Sequence, residues 1–271
     1  MGHIPGWYEC PEFVPFKSPS TGKELWVLYG YYKGPLYFGE GKFESASSYL
    51  LGTFDGKSFT PLSEVKNAHL GPNYYAALTF VNAPEKNPVM MGWVRGPDYP
   101  GEPFNQCASV PLELSLQSIE NEDLLHFYPI KNLEKLRDEP VLEMVNPSVN
   151  EANKRLGSLS KDLEYDVVMT LVSNSGSKMD IKIYDAHFQY SQESKKIELR
   201  GKHRNLHPSG TMEARFLIDR GVVESFWNKG EAAFCVAITH KRENSVIALS
   251  GDMEIEKLVV YPMKGIWPAN H

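Results

Sequence analysis

The sequence predicts an all-β chain, and three observations carry that prediction. Short runs rich in β-branched and aromatic residues recur along nearly its whole length. Pro, Gly, Asn and Ser punctuate them at close spacing. Only one segment shows a helical pattern. In chain order, residues 23–32 form the first such run, bounded by Ser18-Pro19-Ser20-Thr21-Gly22 and by Lys33-Gly34-Pro35. Residues 49–54 follow and end in Asp55-Gly56, a hairpin signal. Further strands are expected over residues 74–81, 89–95 and 109–117. Antiparallel strands this short belong to sandwiches, barrels or propellers.

Residues 9–60 and 74–128 are alike in length and strand number, which suggests two propeller blades. Over residues 129–137, Ile130, Leu133 and Leu136 recur at helical intervals, and Pro140 bars continuation. This reads as a linker helix, 129–140, between a first domain over 1–128 and a second over 141–271. Strands resume at residues 164–173, 179–184, 196–200, 211–220, 222–228, 232–240, 246–250 and 255–261. The in–out alternation over 213–219 fits a β-sandwich.

At 271 residues the chain can bury one large core or two medium ones. A net charge of -6 gives no electrostatic reason to expect nucleic acid. No apolar run approaches the roughly 20 residues of a membrane span, and no basic-then-apolar secretory pattern is visible. Cys10, Cys107 and Cys235 are far apart and odd in number, which gives neither a disulfide framework nor a zinc site. His203 and His207 lack further converging ligands and read as a solvated loop, and residues 252–257 as the outward face of a strand. Gly39-Glu40-Gly41 lacks the strand–turn–helix context of a phosphate loop, and there is no Ser-centred nucleophile elbow. The 14 Tyr and 5 Trp residues fit an all-β core or ring faces that stack on sugars.

The segment with chemistry is Trp7-Tyr8-Glu9-Cys10-Pro11-Glu12-Phe13. A carboxyl desolvated among rings keeps its proton to higher pH and becomes a proton donor, so Glu9 is the candidate acid. A Glu at a strand start with its neighbours in a core has the same local sequence.

Glu9-Cys10-Pro11, followed by Glu12 and Phe13, resembles the general-acid motif of glycoside hydrolase family 32, the invertases, levanases and inulinases. Residues 49–59 are similar to the hairpin that follows in that family, and Tyr74-Tyr75-Ala76-Ala77-Leu78-Thr79-Phe80 to its Phe-Tyr-Ala-Ala-Gln-Thr strand. Met91-Gly92-Trp93 resembles its Ile-Gly-Trp strand, and Val110-Pro111-Leu112-Glu113-Leu114 its Pro-Arg-Glu-Leu segment. Asp219-Arg220, Val223-Glu224-Ser225-Phe226 and Asn228-Lys229-Gly230 resemble its sandwich-domain signature. The segments keep the family's order over nearly the whole chain.

The resemblance implies a partial five-bladed β-propeller, its last two blades, followed by a β-sandwich. It implies a β-fructofuranosidase acting on fructans or sucrose with retention, without cofactor or metal. Glu9 would be the acid/base, Cys10 a tuning neighbour, and Tyr75 and Trp93 substrate-binding groups near the sugar. For polysaccharide degraders of this kind it implies a secreted or periplasmic location.

The family's nucleophile lies in a Trp-x-Asn-Asp-Pro-Asn-Gly segment and its stabilising Asp in an Arg-Asp-Pro segment. Neither occurs in these 271 residues. The chain is therefore expected to be a C-terminal portion that is inactive alone, or a non-catalytic carbohydrate-binding or structural module. A third expectation is an unrelated all-β recognition protein. Four departures remove charge or hydrogen bonding near the site: Leu112 stands for the family Arg, Leu78 for its Gln, and His69 and Asn73 for Asp residues. Two blades alone would leave apolar sheet faces uncovered, so self-association is expected.

Overall fold

A computed structural model describes residues 7–38, 41–84, 86–99, 102–238 and 245–266, without the side chains of 7, 8, 32–38 and 41–46. The aromatic neighbours Trp7 and Tyr8 thus contribute backbone only, and the end of the expected 232–240 strand and the Gly39–Glu40 pair lie outside the described residues. The chain is all-β.

The first sheet contains β1 (Trp7–Lys17), β2 (Glu24–Phe38), β3 (Gly41–Phe54) and β4 (Phe59–Pro61) in that order, with β5 (Lys66–Asn67) added to β3. The second contains β6 (Tyr74–Thr79), β7 (Val89–Val94), β8 (Cys107–Ala108), β9 (Leu112–Ile119) and β10 (Glu122–Pro129). Its order is β6-β7-β9-β10, with β8 added to β7. Both are antiparallel meanders, so the internal likeness of the two sequence blocks has a structural counterpart. Their facing sides share one core: Phe16, Val27, Tyr29, Tyr49 and Leu51 meet Tyr74, Met90, Val94, Leu114 and Phe127. Leu112, Leu114 and Leu116 are buried on alternate positions of β9, as a half-buried strand requires.

Residues 129–137 hold a short 3₁₀ helix, Lys131–Leu136, none of whose residues is buried. The stepping of Ile130, Leu133 and Leu136 by three is the 3₁₀ repeat itself. This segment is tied down: Asp138 N–H donates to Pro262 O at 2.9 Å and Lys264 N–H to Leu136 O at 2.8 Å. An α-helix, Val149–Leu156, follows where none was expected. Its signal was present, since Ser148 and Glu151 form a capping box.

The remaining strands are β11 (Leu142–Val145), β12 (Tyr165–Val172), β13 (Lys178–Ile183), β14 (Ala186–Ser191), β15 (Lys196–Leu199), β16 (Lys202–Asn205), β17 (Thr211–Ile218), β18 (Val222–Trp227), β19 (Ala232–Ala237), β20 (Ile247–Gly251) and β21 (Ile255–Pro262). One sheet runs β11-β21-β12-β17-β18-β19 and the other β16-β15-β14-β13-β20. Both line a second core built on Val167, Ile181, Phe188, Phe216, Trp227 and Phe234. The expected loop at 203–207 is partly strand β16. His207 there is fixed by Glu231, which its Nδ1 meets at 2.5 Å.

Strands β18 and β19 join the two cores. Every residue of β18 is buried, because both of its faces are covered. Val223 and Trp227 point into the second core. Val222 and Phe226, with Ala233 and Cys235 of β19, belong to the first core. Backbone bonds fasten the contact, from Leu70 N–H to Ala233 O at 2.8 Å and from Phe127 N–H to Gly230 O at 3.0 Å. At Gly71 a Cβ would lie 2.3 Å from Cys235 N, so the close approach requires glycine.

Candidate active site

Glu9 and Tyr75 lie 66 positions apart and meet because β1 and β6 run side by side as the edge strands of their sheets. Each carries a β-bulge at that level. In β1, Glu9 and Glu12 oppose Tyr31 and Tyr29, so one extra residue sits on the β1 side. In β6, Tyr75 and Leu78 oppose Trp93 and Met91, with the same excess. Cys10 (φ 51°) and Ala76 (φ 49°) take left-handed backbone conformations within these bulges. A bulge re-aims the neighbouring side chain, and here it turns Glu9 and Tyr75 toward one another.

The Tyr75 hydroxyl donates to Glu9 Oε2. One step along, Thr79 Oγ1 donates to Glu12 Oε2 at 2.5 Å. The hydrogen bond to Glu9 is the main cause that pushes the Tyr75 phenol up to about 12, with desolvation adding to it. Tyr31 packs perpendicular to Tyr75 with centroids 4.5 Å apart. The Arg95 guanidinium lies over the Tyr75 ring at 4.3 Å, a cation–π contact. The Trp93 ring follows at 5.9 Å from Tyr75 and is 44% exposed. Cys10 is half-buried beside Glu9, and its thiol is pushed up by desolvation and by the charges of Glu9 and Glu12.

The four residues singled out by sequence therefore fall together. Arg95 and Tyr31, which close the arrangement, were not among them. Arg95 follows Trp93 by two positions, one residue past the end of β7, a period-2 signal that was readable.

The departures have distinct fates. His69 is buried and stacked on Tyr74 at 3.8 Å, and burial drives its pKa down to about 3. Leu112 lies in the core, while Leu78 is exposed beside Trp93 in an open depression of about 540 Å³. Among the described residues no cluster of three or more His, Cys, Asp or Glu side chains could hold a metal ion. No helix there is long and apolar enough to cross a membrane.

A carboxylate bonded to a phenol, an adjacent guanidinium and an exposed indole make a site that can exchange one proton and stack against a sugar. Two paired antiparallel meander sheets bearing this cluster define an all-β protein. Residues 3–129 match the family described as "Glycosyl hydrolases family 32 N-terminal domain". The levanase of Bacillus subtilis (strain 168) is 23% identical over 308 residues, covering 98% of this chain. The chain spans only 44% of that levanase. Among solved structures, exo-inulinase from Aspergillus awamori superposes with a TM-score of 0.77 at 20% identity, over 97% of this chain and 58% of that one. A fructofuranosidase from Schwanniomyces occidentalis, complexed with fructosylnystose, gives a TM-score of 0.70 at 17% identity, over 95% and 60%. At these identities the structural likeness speaks for the fold.

Proposed function

We propose that the chain forms the acid/base half of a β-fructofuranosidase site acting on fructans or sucrose with retention. Glu9 would protonate the leaving-group oxygen and then deprotonate the attacking water. In retaining enzymes a second carboxylate attacks from about 5–5.5 Å away. Neither of the two segments that carry the family's partner carboxylates occurs in these 271 residues. The 271-residue chain alone therefore does not cleave. The observation that carries the reading is the Glu9–Tyr75 bond made by paired bulges, with Trp93 open beside it.

In this reading residues 1–128 are two propeller blades, 129–140 a linker and 141–271 a β-sandwich. The two like meanders support the first assignment, and the two sheets around one core support the last. A second reading, a non-catalytic carbohydrate-binding module, is favoured by the exposed Trp93 and Leu78.

Titration with fructosylnystose, followed by tryptophan fluorescence, should give saturable quenching that is lost in Trp93→Ala. Sucrose, levan and inulin should release no fructose. Equal quenching by a glucose oligomer would remove the fructoside assignment, and fructose release abolished by Glu9→Gln would remove the inactivity.

The proposal extends to self-association. Leu78, Phe80 and Trp93 are exposed on the outer face of the second sheet, and Phe13, stacked on Trp26 at 4.5 Å, on that of the first. Light scattering should show a mass above 30.6 kDa that grows with concentration; a monomer throughout would rule this out.

A further inference from the structure

We propose that Asn73 is a positioning residue through which strand β19 fixes the Tyr75–Glu9 pair. The proposal rests on the reading of Glu9 as the acid/base.

Asn73 stands at the entry to β6, two positions before Tyr75, and uses both ends of its amide. Its Oδ1 accepts from Ala237 N–H of β19 at 2.9 Å, and its Nδ2 donates to Arg95 O at 2.5 Å. Its backbone is committed to Arg95 as well and to a second residue of β19. Asn73 O accepts from Arg95 N–H at 2.8 Å, and Asn73 N–H donates to Cys235 O at 3.4 Å. A carboxylate could accept from Ala237 but could not donate to the Arg95 carbonyl, so the amide makes a link that an acid could not. The adjacent glycine is matched to it: Gly96 has φ +105°, and a Cβ there would lie 2.7 Å from Asn73 Nδ2.

Arg95 is thus held at both its N–H and its carbonyl by one residue. Its guanidinium covers the Tyr75 ring at 4.3 Å, and Tyr31 abuts that ring at right angles. Held between these groups, the phenol directs its hydroxyl to Glu9 Oε2. The connection runs from the β19 backbone through Asn73, Arg95 and Tyr75 to Glu9. Every link is a hydrogen bond or a ring contact. It gives the second half of the chain a role in aiming the acid, beyond covering the core.

The test follows the Tyr75 ring carbon that bears the hydroxyl, in the full chain labelled with ¹³C-tyrosine and assigned by Tyr75→Phe. While Tyr75 is bonded to Glu9, its resonance is displaced from the position it takes in Glu9→Gln, and this step in chemical shift between the two proteins reports the bond. In Asn73→Ala the step should shrink by about half or more, because the bond is no longer held in one geometry. If Asn73 serves only the interface, the melting temperature falls and the step stays full, which overturns the proposal. Should Asn73→Ala fail to fold, Arg95→Met reads the same connection with the β19 contacts intact. A full step there overturns the proposal, and a reduced one supports it. Loss of fructosylnystose binding in the unmodified chain would instead sink the functional reading, and the resonance would still report the positioning.

Discussion

Replacing Asp166 by Ala should cost about 3–5 kcal/mol of stability, because it strands buried positive charge. Asp166 is fully buried on β12 and accepts from Arg215 Nε at 3.0 Å and Nη2 at 2.7 Å. It also accepts from Arg137 Nε at 2.8 Å, at the end of the 3₁₀ segment. Arg215 is itself 1% exposed, and its nearest remaining carboxylate, Glu134, stands 3.9 Å away on a half-solvated side chain. Chemical denaturation of the variant checks the figure. Lys257→Ala, which removes an exposed pair with Glu143 at 2.7 Å, should change little by comparison. A loss below about 1 kcal/mol for Asp166→Ala would mean that the two guanidiniums find compensation elsewhere. The same carboxylate ties the 3₁₀ segment to the second core, so the variant should also loosen the join between the halves.

How much of this was legible in the sequence follows from the range of each interaction. Strands announce themselves locally, and the period-2 patterns of β9 and β17 read directly. Residues 222–227 read as a strand, but its burial on both faces was not legible, because Val222 and Phe226 meet groups more than 90 positions away. Glu9 and Tyr75 were each nominated by motif. Their contact depends on two bulges whose left-handed residues are Cys10 and Ala76. Neither type favours that conformation as Gly or Asn does, so no local signal marks the turn. Arg95, Asn73 and Ala237 are joined through backbone carbonyls and N–H groups, which every sequence possesses, and that is why the positioning chain stayed invisible. The Val149–Leu156 helix was a different kind of miss, since its Ser148 and Glu151 capping box was in plain view.

The second large effect is a stability that declines as pH rises through neutrality, and Glu224 is its source. This carboxyl lies on β18, facing the first core at the join between the halves, and is 3% exposed. Its Oε1 accepts from Val110 N–H at 2.8 Å, while Oε2 is buried with no hydrogen-bond partner among the described residues. Burial, reinforced by the charge of Asp219 and opposed by the Val110 bond, pushes its pKa up to about 8. Around it stand Cys235, Cys107 and Tyr74, whose own ionisations burial also drives upward, so none supplies a countercharge. A carboxyl with a raised native pKa keeps its proton in the folded state after the unfolded chain has lost it. Its stabilisation is therefore complete below about pH 4.5 and disappears by about pH 8. A shift of that size corresponds to about 4–5 kcal/mol. The buried histidines act with the opposite sign: His69, lowered to about 3, and His126, also lowered by burial, cost stability as pH falls below their ordinary value of 6.5. Between about pH 6.5 and 8 Glu224 acts without them, and there the melting temperature should fall as pH rises. Glu224→Gln keeps an acceptor for Val110 and cannot ionise, so whatever it costs is constant with pH and its curve should be flat over that window. Parallel curves for the two proteins between pH 6.5 and 8 would show that Glu224 is already ionised in the fold, and that a solvating group reaches its second oxygen.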